Sequence, residues 1–169
     1  MTDTRVVSGL AGLTLTIYWS CILLGLAIPA FAAITVDMLK HGQSVGQAVH
    51  QWRMHLFAPG YNLFIIAVLN AVPFVLLAVF ALLHLGLAPP DAVARTRRGV
   101  AVSVAALIAI GSSLWTHVTT LWYPDAQGAL AYVFLPVVLA FIIPVAYLAA
   151  WSGTWLFQRI KRDNHGTPA

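Results

Sequence analysis

The chain has 169 residues, of which 60% are hydrophobic and 8% charged, whereas soluble domains carry roughly 25% charged residues. That balance excludes an ordinary soluble fold and predicts an all-α integral membrane protein, a single four-helix bundle over residues 1–169. The net charge of +4 does not call for a nucleic-acid partner, because the cations are segregated along the chain, and the lone cysteine, Cys21, excludes an intrachain disulfide.

The first apolar run covers about residues 6–36. Ala30-Phe31-Ala32 imitates a signal cleavage site, but signal h-regions are only about 7–15 residues long, so the run reads as a retained span. Tyr18 and Trp19 fall near its middle, away from the aromatic belts of the interfaces, and are expected to pack against other helices. Pro29 predicts a kink in the outer half.

Residues 37–59 form the longest polar connection. Within it Val45, Val49, Trp52 and Leu56 follow 4-3-4 spacing, one apolar helical face, and predict a short helix lying in the interface. A second span follows over about 61–87. Asn70 lies near its mid-depth and Pro73 follows, leaving the carbonyl of Leu69 without its usual donor. Asn70 is expected either to satisfy that turn or to reach a neighbouring helix. Pro89-Pro90 closes this helix, and residues 91–99 read as a basic loop.

The third span, about 100–122, carries small residues every fourth position: Ala101, Ala105, Ala109 and Ser113. Residues four apart stack on one helical face, so this row predicts a close-packing stripe, and its next member is His117. A tight connection, 123–128, leads to the fourth span, about 129–157, with Pro136 and Pro144 inside it and Trp151 and Trp155 anchoring its end.

Four spans return the chain to its starting side. Arg5, Arg95, Arg97, Arg98, Arg159, Lys161 and Arg162 then share a face, leaving Lys40 and Arg53 on the other. The positive-inside rule places both termini in the cytoplasm of a bacterial-type inner membrane, and the 37–59 connection outside.

Four residues, Asn70, Ser113, His117 and Tyr123, are candidates for a small-ligand site, with interhelical hydrogen bonding as the plainer reading of the buried ones. The outer face collects Asp37, His41, His50, His55, His117 and Asp125. Imidazole and carboxylate suit a transition metal, and His55, His117 and Asp125 are the set favoured here for one. His50 and His55 are five apart and so leave the face that an i, i+4 metal pair would share. A bis-histidine haem on His84 and His117 is disfavoured by depth. His84 lies about 23 residues into its span, roughly 35 Å at 1.5 Å per residue, and so falls at the opposite membrane face from His117.

The paired aspartate motifs of lipoprotein signal peptidases are missing, as are the cysteine pairs of disulfide-forming membrane oxidoreductases. The reading that follows is a small non-enzymatic binding, accessory or immunity-type subunit, embedded in the lipid bilayer and packed on a membrane-protein partner or on itself. The alternatives are a metal-dependent enzyme or redox protein with its site on the outer face, and a small transporter or channel.

Overall fold

A computed structural model describes residues 4–59, 62–86, 91–125 and 128–164. Gly60, Tyr61, Leu87, Pro89, Pro90, Ala126 and Gln127, which the sequence assigns to span ends and connections, lie outside the described residues. The elements are α1 (Thr4–His41), α2 (Val45–His55), α3 (Leu63–Gly86), α4 (Ala92–Trp122) and α5 (Gly128–Asn164). All but α2 are long and apolar enough to cross a membrane.

The long helices run up and down. α1 pairs most extensively with α3, and α4 with α5. Contacts of α1 with α4 and of α3 with α5 close the ring, and α3 and α4 form the nearer diagonal. The chain enters and leaves at one end of the bundle, here the terminal end, and α2 lies across the other.

The interior is built from Ile28, Phe74, Leu77, Leu135, Leu139 and Ile143, set against the alanine row of α4. In lipid this packing contributes through van der Waals contact rather than through removal from water. Outward-facing Leu23, Phe31, Val72, Leu107, Phe134 and Phe141 give the bundle an apolar perimeter, far larger than a soluble monomer exposes.

The small-residue stripe does what its spacing predicts. Ala101, Ala105, Ala109 and Ser113 are completely buried, and His117 is 1% exposed. A second close approach, between α1 and α3, is made at Gly25. A Cβ placed there would come within 2.9 Å of the Ala71 Cα and 2.9 Å of the Phe74 Cβ.

Three local expectations change. Residues 91–99 are not a loop beyond Asp91: they form the opening turns of α4, because the Asp91 carboxylate accepts the Val93 and Ala94 amides as an N-cap. Trp19 is exposed and stacks edge-on against Tyr18, rather than packing inside the bundle. The inner face of α1 runs instead through Ile28, Ala32 and Val36. On α2, Val45 is exposed and the fully buried residue is Ala48, whose small side chain lets this helix settle on α1. Trp52, one turn on, packs against the apolar cluster of Ala33, Leu63, Ile66 and Tyr132.

The ends around α2 are tightly defined. Gly42 takes φ of 65°, a conformation that glycine adopts without steric cost, so the chain turns sharply at the end of α1. Ser44 and Gln47 then form a reciprocal capping box at the start of α2. Asn62 accepts the Ile65 amide and is a one-way N-cap for α3. The Lys40 ammonium donates to the Trp122 carbonyl, which ties the end of α1 to the end of α4.

Candidate functional site

The polar residues buried as a whole, among those described, are Asn70, Ser113 and His117, three of the four ligand candidates read from the sequence. They form one hydrogen-bonded relay. Proline at position 29 has no N–H, so the carbonyl of Gly25, four residues earlier, lacks its helical donor. The Asn70 Nδ2 donates to that carbonyl at 2.7 Å, reaching across to α1 rather than serving its own kinked turn. Its Oδ1 accepts the Ser113 hydroxyl at 2.7 Å. Asn70 therefore joins α1, α3 and α4 at one level, and both ends of its amide are used.

His117 sits one turn beyond Ser113. Its Nδ1 lies 2.8 Å from the Ser113 carbonyl oxygen. A carbonyl can only accept, so Nδ1 carries the proton. This partner is the carbonyl of the preceding turn of its own helix rather than a side chain such as that of Thr116. Thr116 instead donates to the Ser112 carbonyl. The His117 ring stacks on Tyr132 of α5, with centroids 5.1 Å apart. Its Nε2 is buried and has no hydrogen-bond partner.

Above this relay, at the α2 end, is a pocket of about 240 Å³. Its floor is apolar, made by Ala33, Val36, Leu63 and Leu121. Asp37 and His41 from the end of α1, Gln43 from the turn that follows, and Gln51, Trp52 and His55 from α2 supply the rest. His41 donates from Nδ1 to the Asp37 carboxylate at 3.1 Å, and the Gln51 amide donates to His55 Nε2 at 3.0 Å. The Oε1 of Gln43, a residue of this lining, is buried with no hydrogen-bond partner. Relay and pocket adjoin through Tyr132, which clusters with the pocket residues Ala33 and Leu63.

The remaining candidates lie elsewhere. Tyr123 is 73% exposed at the C-cap of α4 and stands apart from Asn70, Ser113 and His117. Asp125 is exposed in the following turn, where its carbonyl accepts the Gly128 amide, while His55 faces the pocket and His117 is buried in the relay. Among the described residues no three His, Cys, Asp or Glu side chains gather as a metal-holding group, so His55, His117 and Asp125 are not brought together. His50 is on the exposed side of α2. His84 lies at the terminal end, bonded to the Tyr147 hydroxyl at 3.1 Å and flanked by Phe80, whereas His117 lies toward the α2 end.

Sequence reasoning overlooked Gly25, Gln43 and Gln51. A signal existed for Gly25, since a glycine four residues before a helical proline exposes its carbonyl to a neighbour. Gln43 and Gln51 had none, because their sharing of one pocket depends on how α2 folds back over α1.

Comparison of the chain with protein-family models, curated proteins and solved structures gave no match.

Proposed function

We propose that this multipass protein is a non-enzymatic binding or accessory subunit of a bacterial-type inner membrane, and that it engages its partner or ligand through the pocket beneath α2. The pocket supports this reading by combining an apolar floor, a ring of imidazole, carboxylate and amide groups, and the unpartnered acceptor Gln43 Oε1. Its paired side chains, Asp37 with His41 and Gln51 with His55, suit recognition of a polar group better than turnover. The volume fits a small polar molecule or a side chain offered by a partner protein or a second copy. A metal-dependent reading has less support, since its three ligands are dispersed. A transport reading has little as well, since among the described residues no carboxylate, lysine or arginine is wholly buried in the bundle.

Gln51 is exposed on α2 yet lines the pocket, so Gln51→Trp blocks the mouth without disturbing the core. Protein purified from its native membranes in mild detergent is expected to carry a bound protein or small molecule in native mass spectrometry, and the Gln51→Trp protein to lose it. Identical bound species in both proteins, or none in the parent, would refute the assignment of function to this pocket.

The orientation belongs to the same proposal: seven of the nine Lys and Arg residues fall at the terminal end, which the positive-inside rule makes cytoplasmic. In a Cys21→Ser background, Asp125→Cys should react with an impermeant maleimide applied to intact cells. Arg97→Cys should react only after the membrane is opened. The reverse pattern would turn the protein over and put the pocket inside.

A further inference from the structure

At the opposite end of the bundle, α4 begins and α5 ends side by side, and between them lies a cleft of about 390 Å³. Its polar lining is Asp91, Arg97, Gln158 and Arg159, with Trp155 as its aromatic wall. From this arrangement we infer that the cleft is a binding site for the phosphate headgroup of an anionic phospholipid, held between Arg97 and Arg159. The inference is independent of the pocket beneath α2.

The arginines are held ready for an anion. The Arg97 guanidinium lies over the Trp151 ring at 4.6 Å from its centroid, and that of Arg159 lies over Trp155 at 5.5 Å. Stacking of this kind fixes the plane of the guanidinium while leaving its N–H edge for hydrogen bonds. The Nε of Arg97 is buried and has no hydrogen-bond partner. Among the described residues no carboxylate forms an ion pair with either arginine. Among the described residues Asp91 is the one acidic group in the lining, and its two oxygens accept the Val93 and Ala94 amides at 3.3 and 3.1 Å. Its carboxylate is held at the cap of α4 and stays anionic, so the cleft presents two cations against one anion, with an amide and an indole. Arginine matches phosphate oxygens with paired N–H donors.

The surroundings favour a lipid as the source of that phosphate. Leu156, Phe157 and Ile160 are exposed at the same level of α5, on its outward side, so apolar surface for acyl chains lies at the depth of the cleft. Trp151 and Trp155 stand where interfacial tryptophans stand in membrane helices. Basic pockets between helix ends are a recurrent way of holding anionic headgroups.

The test is lipid titration of the full-length, delipidated protein in detergent, read by native mass spectrometry. Dioleoyl phosphatidylglycerol should be retained roughly ten-fold or more better than dioleoyl phosphatidylcholine, given two arginines at the headgroup. Arg97→Gln with Arg159→Gln should bring the two lipids to equal retention. Arg95→Gln, at the same end but outside the lining, should leave the preference intact. If the double variant does not fold, Arg159→Gln alone, at an exposed side chain, should weaken the preference several-fold. Inorganic phosphate at millimolar concentration should not displace the lipid. Displacement by phosphate would assign the cleft to a soluble phosphate and overturn the lipid source. No headgroup preference in the parent, or equal loss in the Arg95→Gln protein, would overturn the site.

Discussion

Asn70→Leu is expected to destabilise the bundle by about 2–3 kcal/mol, more than a typical membrane hydrogen bond would suggest. Interhelical hydrogen bonds in membrane proteins average about 0.6 kcal/mol, because partners are found again when one is lost. Here one partner has no such recourse. The Gly25 carbonyl is deprived of its helical donor by Pro29 and is held by Asn70 at 2.7 Å. Without Asn70 it is left unpaired in the interior, at a cost of about 1–3 kcal/mol. The Ser113 hydroxyl, which donates to Asn70 at 2.7 Å, can turn back to a carbonyl of its own helix and adds little. Leucine keeps the branching and heavy-atom count of asparagine but is bulkier, so no cavity is created and overpacking can only add to the penalty. The unfolding equilibrium in detergent micelles measures the loss, and a double-mutant cycle with Pro29→Ala tests its cause. The Pro29→Ala substitution restores an N–H to the Gly25 carbonyl, so in that background Asn70→Leu should cost close to the ordinary value of about 0.6 kcal/mol. An equal penalty in the parent and in the Pro29→Ala background would show that the carbonyl is not the origin of the effect.

The other large effect is expected at Gly25. Gly25→Ala should cost about 1–3 kcal/mol, the range for overpacking a close-packed interior. The added Cβ would lie 2.9 Å from the Cα of Ala71 and 2.9 Å from the Cβ of Phe74. A backbone atom cannot rotate away, so α1 and α3 must separate. That movement also stretches the bond from Asn70 to the Gly25 carbonyl, so the effects of Gly25→Ala and Asn70→Leu should fall short of additivity. Gly111 supplies the contrast: it lies on α4, and a Cβ there meets nothing within 4 Å. Gly111→Ala should therefore be neutral, or stabilising by up to about 1 kcal/mol through helix propensity. Thermal unfolding of the three proteins in the same detergent separates the cases. A Gly25→Ala protein as stable as the Gly111→Ala protein would mean that α1 and α3 do not meet at Gly25.

What the sequence by itself determined is the part set by period and by solvent. Four apolar runs long enough to cross a bilayer fix the fold class, because in lipid only a helix pairs every backbone group within its own segment. The row Ala101, Ala105, Ala109, Ser113 and His117 is buried throughout, and that was legible because residues four apart must share a helical face. Two caps, Asp91 for α4 and the Ser44–Gln47 box for α2, were also present in the sequence as local signals, though the run 91–99 read first as a loop because its charges outweighed its cap. Tertiary structure alone decided the pairings. Nothing local says whether the Asn70 amide serves the Leu69 turn or crosses to Gly25, because both carbonyls are freed by a proline and only the docking of α1 on α3 brings one within 2.7 Å. The partner of His117, the shared pocket lining of Gln43 and Gln51, and the placing of Arg97 against Trp151 and Arg159 against Trp155 have the same origin. Each joins groups whose separation along the chain carries no periodic signal, so each is set by which helix lies beside which.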